Sequence, residues 1–233
     1  MRRVDSGGLE LRSLHRRNLR QEAVEVLRAA ILGGELAPGS IHSAVSLAEL
    51  MGVSPTPVRE AMLELSRSGL VEVLPNRGFR VTVIDDRDLD EVAELRMMLE
   101  VPSMRLVIER ASDAELGTLD EPLLALEAAA DRNDVPAFLV ADRDFHLRML
   151  ALARNERLVE IIAGLRDQTR IVGLQSLAAA GALEASASEH RPILEAIRKR
   201  DKKAAERQMT THLKHTRGAW AGYAETPGTP TPR

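Results

Sequence analysis

The segment Leu47-Ala-Glu-Leu-Met-Gly-Val-Ser-Pro-Thr-Pro-Val-Arg-Glu-Ala-Met-Leu-Glu-Leu-Ser-Arg-Ser-Gly-Leu-Val71 carries the decisive local signals of this chain. Leu47, Ala48, Leu50 and Met51 complete a short helix that starts at Val45 and closes at Gly52. Ser54-Pro55 follows, a capping hydroxyl ahead of a proline at the first helical position, where the missing N–H is no loss. The next helix lays Val58, Ala61, Met62 and Leu65 on one face and stops at Gly69. Thr56, Arg59, Glu60 and Arg67 fall on or near the opposite side.

Upstream, Val24, Leu27, Ala30 and Ile31 have helical spacing within a stretch from Arg16 to Gly33, and Leu36-Ala-Pro-Gly39 is a turn. Downstream, Val71-Glu-Val73 and Phe79-Arg-Val81-Thr-Val83 alternate around Pro75-Asn-Arg-Gly78, which predicts a β-hairpin. Three helices with a tight turn between the second and third, then a hairpin, is the winged helix-turn-helix order. Spacing alone also fits another small α+β domain.

After Asp85-Asp-Arg-Asp88, read as a charged linker, the strand signals vanish. Helical patterns run over 89–109, 113–131, 135–154, 158–176, 185–200 and 201–222, with Asp113, Asp134 and Asp201 as expected N-caps. Pro102 is expected to kink or divide the first of these. The expected fold is therefore mainly α: a winged helix-turn-helix domain over 16–84 and an all-helical antiparallel bundle over 89–222. A flexible arm over 1–15 and a disordered Pro/Thr tail over 223–233 flank them.

Composition agrees with two compact domains of about 100 residues each. Of the 233 residues, 44% are hydrophobic but only 2% aromatic, so Leu, Val, Ile, Ala and Met must fill the cores. The absence of cysteine excludes disulfides and thiolate metal sites. No apolar run approaches the ~20 residues of a membrane span, and Arg2-Arg3 precede no apolar stretch that would make a signal peptide, so a cytoplasmic location is expected. The net charge of -3 divides into +2 over residues 1–80 and -5 over 81–233. All the basic residues of the first part are Arg, the side chain suited to phosphates and guanine edges.

Gly52-Val-Ser54, Thr56-Pro-Val-Arg-Glu-Ala61, Gly69-Leu-Val71 and Asn76-Arg-Gly78 together resemble the GntR family of bacterial regulators. The resemblance implies a sequence-specific DNA-binding transcription regulator. A homodimer would present two recognition helices to a palindromic double-stranded operator, commonly as a repressor. The N-terminus of the third helix directs N–H groups and positive dipole toward a phosphate. Thr56 and Arg59 are the expected groove contacts, Arg59 through a bidentate bond to guanine. Ser54 is a cap or a contact, Arg67 a phosphate contact or a solvated residue, and Arg77 and Arg80 are wing contacts or solvated arginines. Many family members carry Arg where this chain has Pro55, which alters the expected base preference.

The second half concentrates unusual inward polar residues. Asp142 and His146 are stacked on a face with Val135, Leu139, Met149 and Ala153. His190 shares a stripe with Ile193, Leu194 and Ile197; His212 shares one with Ala205 and Met209. Burying this set is costly unless the groups are paired, either by ordinary core hydrogen bonds or by a divalent ion with imidazole and carboxylate ligands. Glu94-Leu-Arg96, Leu99-Glu100, Asp142-x3-His146, Asn155, Glu189-His190 and Met209-x2-His212 resemble the FadR-type FCD ligand-binding domain. That resemblance implies a divalent metal, commonly Zn, Ni or Mn, on Asp142, His146, His190 and His212. It also implies a carboxylate effector clamped by Arg96, for which the alternative is a helix-surface Arg. Asn155 is either an effector contact or a helix cap. His215, His15 and His42 are read as peripheral. A metal-dependent hydrolase or lyase, or a purely structural metal, are the rival readings; against an enzyme, no second carboxylate is visibly placed as a base.

Overall fold

The computed structural model describes residues 16–179 and 182–220, and side chains over 19–169 and 183–217. The expected N-terminal arm and C-terminal tail lie outside the described residues.

The first domain contains α1 (Arg16–Leu32), β1 (Ile41–His42), α2 (Ala44–Met51), α3 (Pro55–Arg67), β2 (Val71–Leu74) and β3 (Gly78–Val81). Ser43 caps α2 by accepting from the Ser46 N–H, and Gly52 ends it in the left-handed conformation at φ 66°. Val58, Ala61, Met62 and Leu65 of α3 are all fully buried, packed on Ala23, Val24, Leu27 and Ile31 of α1. The hairpin forms with Val71 opposite Val81 and Leu74 opposite Gly78. Unforeseen in the sequence, Ile41 and His42 add a third strand against β3, in the order β1-β3-β2. Two residues are too short to show alternation. The close approach explains Gly78, where a Cβ would lie 2.3 Å from the His42 carbonyl oxygen.

The second domain comprises α4 (Asp86–Arg110), α5 (Asp113–Gly117), α6 (Asp120–Asp131), α7 (Val135–Ala151), α8 (Glu156–Ala179), α9 (Ala182–Ser188), α10 (His190–Arg198) and α11 (Lys202–Trp220). Several expectations need correction. Asp85–Asp88 is not a linker: Asp85 and Asp88 form a reciprocal capping box that starts α4. Only residues 82–85 therefore separate β3 from α4. Pro102 does not divide α4; it sits exposed within the continuous helix. The single helix expected over 113–131 breaks near Leu119 into α5 and α6. Ser112 rather than Asp113 caps α5, because Glu115 completes a capping box with it. The helix expected over 185–200 likewise divides at Glu189 into α9 and α10. Asp134 and Asp201 do cap α7 and α11, accepting from Ala137 and Ala204 N–H.

Met104, Val107, Phe145, Met149, Leu150, Ile193, Ile197, Ala205 and Met209 form the main core of the bundle. This core surrounds one polar pocket, into which α4, α7, α8, α10 and α11 each contribute a side chain.

Candidate functional site

The candidate DNA contacts of the first domain are all exposed. Ser54, Thr56 and Arg59 are exposed around the N-terminus of α3, Arg67 in its last turn, and Arg77 at the hairpin tip. Ser54 has N-cap backbone geometry, yet its hydroxyl makes no capping hydrogen bond. Arg59, Arg67 and Arg77 form no ion pair among the described residues. Arg80 differs: it stands opposite Glu72 across the hairpin and donates to its carboxylate from Nε at 3.2 Å and Nη2 at 2.5 Å. An exposed pair of this kind is weak and salt-sensitive.

In the bundle, Asp142, His146, His190 and His212 are all buried, and one ligand-capable atom from each lies within 4.8 Å of the others. The stripes that carry them are also buried: Leu139 and Met149 on α7, Ile193 and Ile197 on α10, Ala205 and Met209 on α11. Phe145 packs edge-on against His146 and His190, with ring centroids 5.4 and 5.3 Å away.

Hydrogen bonds fix the role of Nδ1 in two of the imidazoles. His190 Nδ1 lies 3.0 Å from the Ser186 carbonyl, which can only accept, so Nδ1 carries the proton. His212 Nδ1 donates to Glu189 Oε2 at 2.8 Å. Nε2 of both rings then points into the pocket. His190 Nε2 faces Asp142 Oδ1 at 3.0 Å and His146 Nε2 at 3.1 Å. His212 Nε2 is buried with no hydrogen-bond partner. Burial, reinforced by the nearby Arg166, holds the His146 pKa well below the usual imidazole range. Burial lowers His212 to about 4 despite its bond to Glu189. Three imidazoles and a carboxylate thus converge in one buried cluster, and a cation between them would satisfy the whole set at once. The donor set, three nitrogens and one oxygen, fits a borderline divalent metal. Hydrogen bonds from the remote ring nitrogens to Ser186 and Glu189 supply the outer support that metal-ligating histidines use.

Two buried arginines complete the pocket. Arg96 is only 3% exposed, so it is not a helix-surface residue. Its Nε donates to Glu100 Oε1 at 2.6 Å, while its buried Nη2 has no partner. Arg166 donates to Glu100 Oε2 at 3.0 Å and to Asp142 Oδ2 at 2.9 Å. Burial would raise the Glu100 pKa, but Arg96 and Arg166 outweigh it and the carboxylate stays ionised. Glu100 thus supplies the second carboxylate that sequence reasoning did not place, but both its oxygens are already engaged by guanidinium groups. Arg166 was missed altogether. Its signal was present: it lies in the stripe Ile162, Leu165, Arg166 and Thr169, a charge at apolar spacing like the histidines.

Asn155 does not join this group. It is exposed at the start of α8 and its Oδ1 accepts the Leu158 N–H at 3.1 Å, as a cap. His215 is half-exposed and shares Glu189 with His212. His42 sits in β1, 2.7 Å from the Ser40 hydroxyl; His15 lies outside the described residues.

A winged helix-turn-helix joined to a helical bundle with a polar central pocket defines the class of two-domain transcription regulators. The comparisons specify the family. Residues 19–81 match the profile "Bacterial regulatory proteins, gntR family" and residues 91–215, more than half of the chain, match the FCD domain. The chain belongs to the GntR family of bacterial transcription regulators, in its FCD-domain branch. It is 28% identical over 190 residues to the uncharacterized HTH-type transcriptional regulator YdhC of Bacillus subtilis, covering 81% of this chain and 85% of that one. It is also 28% identical over 193 residues to the HTH-type transcriptional repressor RspR of Escherichia coli, covering 83% and 85%. The solved structure of Escherichia coli McbR/YncC superposes with a TM-score of 0.75 at 28% identity, covering 84% of this chain and 94% of that one. These relatives are regulators rather than enzymes. Among the described residues, no helix is long and apolar enough to cross a membrane.

Proposed function

We propose that this regulator binds a divalent metal on Asp142, His146, His190 and His212, and an organic acid beside it, and that occupancy of this pocket tunes operator affinity. The observation that supports the metal most directly is the His212 Nε2, without a hydrogen-bond partner among the described residues and buried where Asp142, His146 and His190 each bring a ligand-capable atom. Zn, Ni or Mn would supply a Lewis-acidic position for a ligand oxygen.

Charge bookkeeping supports an anionic effector. Among the described residues, Asp142 and Glu100 stand against Arg96 and Arg166 in this cluster. A divalent cation adds positive charge, of which Glu189, at the rim, balances a part. An anion relieves the excess, and the unpartnered Nη2 of Arg96 is a donor suited to a carboxylate. Asn155 is exposed and caps α8.

On the DNA side, Thr56 and Arg59 contact base edges, while Ser54, Arg67 and Arg77 contact phosphate or wing-side groove. Arg80 makes such a contact only by exchanging Glu72 for a phosphate. The regulator acts in the cytoplasm as a homodimer on a palindromic operator, as a repressor.

The test is elemental analysis of purified protein, followed by chelation and thermal melts with Zn, Ni or Mn restored, alone and with a panel of carboxylic acids. Stoichiometric metal in the wild type and none in His190→Ala/His212→Ala is the expected result. Metal-free wild type overturns the metal assignment. Stabilisation by metal with none from any acid makes the metal structural instead.

A further inference from the structure

The buried Asp167 is used by no part of the function proposed above. It is 0% exposed in the middle of α8, yet both its partners are arginines from other elements. Arg28 of α1 donates to its Oδ2, and Arg143 of α7 donates to its Oδ1 at 3.0 Å. Arg28 belongs to the winged-helix domain, so one buried carboxylate ties the two domains together. A second tie lies beside it: Gln168 Nε2 donates to the Ser68 carbonyl at 3.1 Å. The Ser68-Gly69 turn ends the recognition helix and packs over Gly164.

The inner side of the same two helices faces the pocket. Arg166, next to Asp167, holds Asp142; Arg143, next to Asp142, holds Asp167. Consecutive residues on α7 and α8 therefore cross-pair twice. One pair reaches the proposed metal ligand and the other reaches the DNA-binding domain. A shift of Asp142 relative to Arg166 moves the backbone that carries Arg143 and Asp167, because neighbouring helical residues move as one rigid element.

We infer that Arg28, Asp167 and Arg143 form an interdomain latch, which holds the winged helix on α8 and through which the pocket's state reaches the DNA-binding domain. This coupling role rests on the pocket reading given above, whereas the docking role does not.

The chain has no cysteine, and a Cβ added at Gly164 would lie 3.7 Å from the Ser68 Cβ. Disulfides span Cβ atoms about 3.8 Å apart. A Ser68→Cys/Gly164→Cys double variant of the full chain should therefore form an intramolecular disulfide on mild oxidation in chelator. Adding Arg28→Ala should slow its formation about tenfold or more. Arg28→Ala removes a part-buried side chain and leaves Asp167 paired with Arg143, so both cores persist. Gln168→Ala, which leaves every charge in place, should slow the reaction in the same direction. Failure of the cross-link to form, or equal rates with and without Arg28, overturns the latch.

Operator binding with and without zinc alone reads the coupling. Site–site coupling usually changes affinity by about 5- to 150-fold. Oxidation should bring that ratio to within about twofold, and reductant should restore it. A locked protein that still responds fully to zinc overturns the coupling. Reduced protein that never responds to zinc overturns the metal-responsive reading, while the cross-linking rates still judge the latch.

Discussion

Replacing Glu100 by Gln probes the pocket without touching a proposed metal ligand. Its carboxylate accepts from Arg96 Nε at 2.6 Å and from Arg166 Nη1 at 3.0 Å, and it is 0% exposed. Gln keeps the shape but removes the charge that offsets two buried guanidiniums. The cluster loses one negative charge, and Arg96 loses the carboxylate to which its Nε is bonded. Removing one member of a buried ion pair costs about 3–5 kcal/mol, because the surviving charge stays desolvated. For a chain of this size each kcal/mol is about 2–4 °C, so the thermal midpoint should fall by about 6–20 °C. Replacing the pair is a different perturbation. Arg96→Met/Glu100→Leu removes both charges of the pair and should recover most of the loss, because apolar residues of similar volume are tolerated there. Urea unfolding of wild type, Glu100→Gln, Arg96→Met, Glu100→Leu and the double variant in chelator measures both effects. A Glu100→Gln loss below about 1 kcal/mol, the range of an exposed pair, would refute the reasoning, since Glu100 would then be exposed to water or unpaired in solution.

Arg59→Ala should weaken operator binding by about 1–3 kcal/mol while leaving the melt and metal content unchanged, as measured by fluorescence anisotropy on labelled operator. Unaltered affinity would remove Arg59 from the groove. Gly78→Val should destabilise the winged-helix domain, because its Cβ meets the His42 carbonyl at 2.3 Å and φ is 109°; proteolysis of β1 and the hairpin is the readout. Glu115, held to about 2 by the Ser112 N–H and hydroxyl together with Arg154, is lowered relative to an unfolded chain. Its contribution is complete above about pH 4.5 and is lost as pH falls toward 2. The urea-midpoint gap between wild type and Glu115→Gln should therefore narrow steadily below pH 4.5, and a constant gap would contradict the assignment.

Elements with strong local signals were legible from one dimension. The α3 face of Val58, Ala61, Met62 and Leu65, the Gly52 turn and the hairpin follow from residue spacing, and all are present. The inward direction of Asp142, His146, His190 and His212 was also legible, since helical periodicity places each of them on an apolar stripe. Helix boundaries were read less well. Asp85–Asp88 looked like a linker because its residues are charged, whereas a reciprocal cap uses those same charges to start a helix. The break between α9 and α10 has a local signal that the reading of one helix over 185–200 passed over: Pro192 stands in the first turn of α10, where proline is tolerated, and cannot sit inside a continuous helix without losing a hydrogen bond.

Sequence by itself determined the class of this protein, because the DNA-reading motif is contiguous and its chemistry is local. It also placed Asp142, His146, His190 and His212 inward, because helical period sets each on an apolar stripe, but it left Arg96 open and did not mark Glu100, Arg166 or Asp167 as buried. Partner choice was decided by tertiary structure alone. Arg96 meets Glu100 one helical turn away, but Arg166 reaches across 66 residues to Glu100 and 24 to Asp142, and Arg28 reaches 139 residues to Asp167. A buried charge must find an opposite charge somewhere in the fold. Which one it finds depends on helix packing, and that is not written in any local stretch of the chain.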